Sequence, residues 1–271
     1  MKAPSFAYAK PRALEEALAL LSRAEAKALA GGQSLIPSLN MRLSAPELLV
    51  DITGLEALKG IRLEQDVVRI GALATHAEIE RSEAVAKHVP LLAEAVQHVA
   101  HPAIRNRGTI GGSLALADPA AEYPACALAL DATLVVAGTE GRRQVKATEF
   151  FKGLFETALR PGELIVAVEF PAQLKDQRTA FAELARRHGD YAIVGLAAFA
   201  ANGTKRFAFF GAADRAVLAR HAAQAKDLEA AKQALAKDLQ PPADLYHSPA
   251  TKLHLARVLL ERTWNRLSTP R

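Results

Sequence analysis

Two short segments gather the residue types that hold an anion: Ala30-Gly31-Gly32-Gln33-Ser34-Leu35 and Asn106-Arg107-Gly108-Thr109-Ile110-Gly111-Gly112-Ser113. Adjacent glycines let peptide N–H groups approach an oxygen closely and permit positive φ, and Ser34, Thr109 and Ser113 add short hydroxyl donors. Neither segment has the lysine of a P-loop or the G-x-G-x-x-G spacing of a dinucleotide fold. Two such loops point to a diphosphate held between them rather than at a single helix N-terminus. Alone, Gly31-Gly32 reads first as a tight turn between a strand and a helix, and it is the second loop that shifts the balance.

The neighbours of the second loop admit two readings each. Arg105 and Arg107 set cations beside flexible backbone, where a charge-assisted bond to phosphate contributes about 1.5–3 kcal/mol, but both also read as plain surface cations. Asp118 and Glu122 follow where a helix begins; either suits a ribose diol, Glu122 better than Asp118, and both suit the helix dipole. His98 and His101 have a metal-compatible spacing, yet no Cys or third His lies close in sequence, so no metal site is expected. Tyr191, in the polar loop Arg186-Arg187-His188-Gly189-Asp190-Tyr191-Ala192, either shields a bound ring or covers a domain boundary. With no Ser-His-Asp set, G-x-S-x-G elbow or paired nucleophile and base, no catalytic residue is assigned, and any chemistry belongs to a bound cofactor.

These residues need elements to hold them. The pattern predicts a strand at Phe6–Tyr8, a helix opening at Pro11 with Leu14, Leu18 and Leu21 as its stripe, and a strand from Lys27 to Ala30 running into the first loop. A helical turn at Leu35, Ile36 and Leu39 and a strand from Glu47 to Asp51 complete a small β-α-β unit. Ile61–Leu63 and Val67–Ile70 read as a hairpin, and Thr75 and Ser82 as N-caps. Helices are expected over Pro90–Val99 and Pro119–Leu130, and strands over Thr133–Ala137 and Glu163–Phe170. Gln173–Arg178 reads as a linker, followed by three strands (Phe181–Ala185, Ile193–Ala200, Lys205–Phe210) and then helices, an α+β arrangement.

The 271 residues are 50% hydrophobic, enough for a sizeable core, and carry one cysteine, Cys126. One thiol makes no internal disulfide and cannot supply the four cysteines of an iron–sulfur cluster, so such chemistry must come from another chain. The net charge of +5 comes from scattered, acid-interleaved basic residues, and aromatics are only 6%, which argues against a nucleic-acid surface. Glu15 and Glu16 interrupt the N-terminal apolar residues and Asp131 breaks a later run, so neither a signal peptide nor a transmembrane segment is expected, and the location expected is cytoplasmic.

The two loops, together with Ala117-Asp118-Pro119-Ala120-Ala121-Glu122, Phe150-Phe151-Lys152-Gly153-Leu154-Phe155-Glu156-Thr157, Pro161-Gly162-Glu163-Leu164 and Arg186–Tyr191, resemble the FAD-binding medium subunit of molybdenum hydroxylases, over nearly the whole chain. That family includes the medium subunit of carbon monoxide dehydrogenase and the FAD subunit of bacterial xanthine dehydrogenase. The resemblance implies an α+β fold: a two-subdomain FAD-binding module of the vanillyl-alcohol oxidase-like type over 1–172 (subdomains about 1–55 and 56–172), then a smaller C-terminal α+β domain over 178–271 with a three-stranded sheet and helices. It implies that Leu29, Ala30, Gly31, Gly32, Gln33, Ser34, Leu35 and Ile36 wrap the FAD pyrophosphate from one side and Thr109, Ile110, Gly111, Gly112 and Ser113 from the other. His101 and Ile104 fall close to the flavin, Glu122 near the ADP moiety, Ile165 by the cofactor and Tyr191 near the isoalloxazine.

By the same resemblance, FAD is held noncovalently and passes electrons from [2Fe–2S] clusters on a small partner subunit to an external acceptor, while a large molybdenum-cofactor subunit hydroxylates the substrate. Two departures stand out. Many relatives have His where this chain has Leu116, and the cysteine-bearing insertion of some relatives is missing. Other classes open at this stage are a non-catalytic module binding a phosphoryl ligand and a free-standing flavin oxidase.

Overall fold

A computed structural model describes residues 2–268. The chain opens with β1 (Ala7–Ala9), α1 (Leu14–Leu21), β2 (Ala26–Leu29), α2 (Leu35–Asn40) and β3 (Leu48–Asp51). The strands form an all-parallel sheet in the order β1-β3-β2, and the apolar stripe of α1 (Leu14, Ala17, Leu18, Leu21) is buried. The helix starts after extended Ala13, so Pro11 lies ahead of it rather than in its first turn. Asp51 closes the unit: it accepts from the Tyr8 hydroxyl (2.5 Å) and from the Thr53 hydroxyl (2.6 Å) and N–H (2.9 Å), with Lys10 at 3.4 Å.

A hairpin, β4 (Ile61–Glu64) and β5 (Val67–Gly71), turns at Gln65, whose φ is 55°. Six short helices follow: α3 (His76–Arg81), α4 (Glu83–His88), α5 (Pro90–Ala95), α6 (Pro102–Arg105), α7 (Ile110–Leu116) and α8 (Glu122–Ala129). Thr75 caps α3 in a full capping box with Glu78, and Ser82 caps α4, as their residue types predict. Two expected helices are shorter than their apolar runs: α5 ends at Ala95, and α8 starts at Glu122 because Asp118 first makes a turn, accepting from the Ala120 N–H at 2.9 Å.

The chain then returns to the hairpin through β6 (Thr133–Gly138), β7 (Gly141–Lys146), α9 (Ala147–Phe150), the small ladder of β8 (Phe151–Gly153) with β9 (Glu156–Thr157), and β10 (Leu164–Pro171). These complete an antiparallel sheet, β4-β5-β10-β6-β7. One face packs on the helices through Val68, Ile70, Leu134, Val136 and Val168, and the other on α1 and the parallel sheet through Val135, Ala137, Leu164 and Val166. A bulge between Ile165 and Ala167 in β10 turns Val166 and Ala167 to the same side.

The C-terminal sheet is four-stranded, not three-stranded: β11 (Arg178–Leu184), β12 (Val194–Ala201), β13 (Thr204–Phe210) and β14 (Val217–Leu218), followed by α10 (Arg220–Ala223), α11 (Leu228–Asp238) and α12 (Pro249–Ser268). Arg178, expected in a linker, already belongs to β11. The near-continuous apolar run of β12 follows from burial on both faces: Ala197, Phe199 and Ala201 join the large N-terminal core, while Val194, Leu196 and Ala198 face the C-terminal helices. Helix α8 lies between this sheet and α5 and α7, which is why its sequence EYPACALA is buried all round.

Candidate functional site

The two glycine loops touch. A Cβ on Gly31 would stand 2.0 Å from the Arg107 carbonyl oxygen and 2.9 Å from Gly108 Cα, so the first loop rests directly on the backbone of the second. The missing side chain of Gly31 therefore serves loop-on-loop packing rather than direct approach to a phosphate. Gly32 supplies the positive φ (73°) that turns the chain from β2 into α2. Leu29 ends β2, Ala30 to Ser34 form the loop, and Leu35 and Ile36 open α2. Among the described residues, the N–H groups of residues 31–35 donate no hydrogen bond, and the Ser34 hydroxyl does not cap α2. Five backbone donors and a hydroxyl are thus uncommitted, as an anion cradle requires.

The second loop is built differently. Its peptide groups are tied to the segment after β5: His76 N–H donates to Gly108 O (2.9 Å), Ile110 N–H to Ala74 O (3.0 Å) and Gly111 N–H to Ala72 O (2.9 Å). Thr109 caps α7 by accepting from Gly112 N–H, and Gly111 leaves no room for a Cβ, which would stand 2.6 Å from the Cβ of Ala72. The N–H groups of Ile110 and Gly111 are therefore spent inside the protein, and this side offers a fixed wall with the hydroxyl of half-buried Ser113. Ile165, buried in β10, shares the core with Ile110 of α7, and next to it Ala72 N–H donates to the carbonyl of bulged Val166 while Ala72 O accepts from Gly111.

Arg105 and His76 hold this wall from behind. Arg105 is buried; it pairs with Glu80 (3.0 Å) and donates to the carbonyls of Val99 (3.2 Å) and Ala100 (3.0 Å), so it is a structural cation and not a phosphate ligand. Arg107 is exposed. The His76 ring lies against Gly108 and edge-on to Tyr123; burial first, then Arg105, lowers its pKa to about 4 and keeps it neutral. No sequence pattern marked His76, because its role comes from burial under a loop thirty residues on.

The remaining expected residues meet on the C-terminal side. Gly189 sits against Ala100 and His101: a Cβ there would stand 2.8 Å from Ala100 O and 2.9 Å from the His101 ring. Its φ of 84° turns the 186–191 loop so that exposed Tyr191 senses Asp118 and Glu122. Desolvation by the surrounding protein, then those two carboxyls, raises the Tyr191 pKa. His101 is exposed just ahead of α6, and half-buried Ile104, within α6, accepts from Gly108 N–H at 2.8 Å. Glu122, the first residue of α8, is buried; desolvation is the largest influence lifting its pKa to about 8, its own N–H and His98 work downward, and Glu183 and Asp118 work upward. Asp118 is also raised by burial, against the Ala120 N–H.

Glu183 escaped the sequence reading, and His98 was weighed there only for its metal-compatible spacing. His98 lies 3.3 Å from buried Glu183 of β11, and that hydrogen bond raises its pKa against desolvation. Their separation of 85 positions leaves no local signal. The concave surface lined by Asp176, Arg178, Asn202 and Lys205 at the edge of the C-terminal sheet contains none of the site residues.

Comparison with known proteins shows the family. Residues 4–173 match the family model described as FAD binding domain in molybdopterin dehydrogenase. The chain is 39% identical to the 6-hydroxypseudooxynicotine dehydrogenase complex subunit alpha of Paenarthrobacter nicotinovorans, over 97% of this chain and 94% of that one. It is 41% identical to the carbon monoxide dehydrogenase medium chain of Hydrogenophaga pseudoflava, over 72% of this chain and 68% of that one. A solved carbon monoxide dehydrogenase from Hydrogenophaga pseudoflava superposes with a TM-score of 0.94 at 36% identity, covering 98% of each chain.

Proposed function

The chain belongs to the FAD-binding domain family of molybdopterin dehydrogenases, and from that premise we propose that it is the electron-transfer subunit of a molybdenum hydroxylase, seated between an iron–sulfur subunit and an external acceptor. FAD is its cofactor, and bound FAD can take electrons singly and release them in pairs. Substrate hydroxylation belongs to a molybdenum-cofactor subunit and the [2Fe–2S] clusters to a small one, since a single buried Cys126 leaves this chain without cluster ligands. No helix among the described residues is long and apolar enough to cross a membrane. A cytoplasmic location is part of the same proposal. The alternative of a phosphoryl-ligand module with no redox role finds no support among the relatives.

The residues fit FAD at the level of donors and walls. In this reading the free N–H groups of residues 31–35 and the Ser34 hydroxyl bind the pyrophosphate, with Leu29, Ala30 and Ile36 flanking. Thr109, Ile110, Gly111, Gly112 and Ser113 close the other side, chiefly as a rigid surface. His101, Ile104 and Tyr191 shield the ring system, Ile165 backs it, and Glu122 faces the ribose of the ADP half. Holding is noncovalent. Tyr191, exposed at the rim, excludes water from one face once a ring lies beneath it.

The observation that carries this reading is the contact of Gly31 with Arg107 and Gly108, which joins two loops some seventy-five residues apart into one cradle. The test is the absorption spectrum and flavin stoichiometry of the purified chain, with iron and molybdenum assays on the native assembly. One noncovalent FAD per chain, with iron and molybdenum only in the assembly, is the expected result. A purified chain that neither carries nor takes up FAD refutes it.

A further inference from the structure

A doubly anionic diphosphate needs counter-charge, and the second loop with the turn leading into it holds two cations, Arg105 and Arg107. Arg105 is spent: it is buried and bonded to Glu80 and to the carbonyls of Val99 and Ala100. Arg107 is held differently. Its N–H donates to the Ile104 carbonyl at 3.1 Å and its own carbonyl lies against Gly31, so its backbone is pinned at the seam where the two loops meet. A Cβ on Gly31 would stand 2.7 Å from the Arg107 carbonyl carbon, which puts the Arg107 Cα within about 4.2 Å of the first loop. Its side chain is exposed, and among the described residues no carboxylate pairs with it. A free guanidinium thus stands within a side chain's reach of the uncommitted N–H groups that begin at residue 31. Those N–H dipoles carry no net charge, whereas a planar guanidinium adds two parallel charge-assisted bonds to phosphate oxygens. The pair strengthens further once the ligand excludes water from the seam.

We propose that Arg107 pairs with the diphosphate of the flavin nucleotide and makes the cradle select flavins that carry this group over riboflavin, which has no phosphate. The two arginines then divide the work: Arg105 fixes the loop from inside, and Arg107 meets the ligand from outside. The identity of the ligand rests on the FAD reading, whereas the preference of the seam for a diphosphate does not.

Titration of the flavin-free full chain, followed by flavin fluorescence, compares FAD with riboflavin in the native protein and in R107Q, R107K and R262Q. Arg262 is the control for lost charge: it is exposed on α12, which packs on the face of the C-terminal sheet turned away from the N-terminal core. At low salt the Kd for FAD should rise about tenfold in R107Q, with R107K in between and R262Q native, and the gap should close as salt is raised. The Kd for riboflavin should be the same in all four proteins. Native FAD affinity in R107Q overturns the proposal, and so does a loss for riboflavin equal to that for FAD, which would mark a change in the fold rather than a lost phosphate contact. If the native chain takes up no FAD, the FAD reading falls, and calorimetry with inorganic pyrophosphate decides the proposal on its own. Pyrophosphate binding that weakens about tenfold in R107Q upholds it; binding that is absent, or equal in R107Q, overturns it.

Discussion

Replacing Gly31 by alanine tests the contact on which the cradle depends. The new Cβ would lie 2.0 Å from the Arg107 oxygen, where ordinary contact starts at 3.4 Å, so the loops must part by about 1.4 Å. Neither side yields easily, because the oxygen belongs to backbone tied to α3 through the Gly108–His76 bond. Overpacking of this kind costs about 1–3 kcal/mol. Widening the cleft by more than an ångström also loses at least one charge-assisted bond to the diphosphate, about 1.5–3 kcal/mol. At tenfold per 1.4 kcal/mol, the Kd for FAD rises about 10- to 100-fold. Quenching of FAD fluorescence on titration into the flavin-free chain measures it. Gly54→Ala is the control, since its Cβ meets only Lys10 Cε at 3.5 Å. A folded Gly31→Ala chain that binds FAD with the native Kd would refute the reasoning.

Three further outcomes follow from the described contacts. Arg105→Ala strands Glu80 and two carbonyls behind the second loop and should destabilise the fold by about 3 kcal/mol in urea unfolding, a loss that a surface cation would not produce. Burial pushes the Asp51 pKa up, but its bonds from Thr53 and Tyr8 and the charge of Lys10 prevail and bring it from 3.8 to about 2. A depressed carboxyl stabilises the fold above its unfolded pKa, so about 2 kcal/mol should be lost as pH falls from about 4 to about 2, and Asp51→Asn should remove that dependence from the unfolding midpoints. Glu122 has the opposite sign: its pKa rises from 4.5 to about 8, so the stability it confers is full below pH 4.5 and drains away as pH climbs through 8. Glu122→Gln should flatten that alkaline decline, and an unchanged decline would show that Glu122 is not the group responsible.

Much of the scaffold was legible because local chemistry and final structure agree. The β4–β5 hairpin, the caps Thr75 and Ser82, and the strands flanking the first loop follow from period and cap residues alone. What stayed hidden has physical reasons. Strand β7, GRRQVK, is an exposed edge with only Val145 buried, so it carries no apolar alternation, and the two-residue strands β9 and β14 are too short to show a period. Both glycine loops were visible, but not the division of labour between them: which N–H groups remain free depends on carbonyls of Ala72 and Ala74, more than thirty residues upstream. Glu183 sits in a strand pattern that reads as solvent-facing, and only the packing of the C-terminal sheet against α5 and α8 buries it.

The seating of Gly31 on Arg107 also bears on how such a chain matures. On the proposed reading neither loop is a receptor by itself, because one would contribute donors and the other the surface that keeps them in place. A nascent N-terminal third should therefore have no grip on the nucleotide until the remainder has closed over it. Capture and final collapse then become a single event, and excess flavin in the growth medium should raise the yield of native chain rather than rescue fragments.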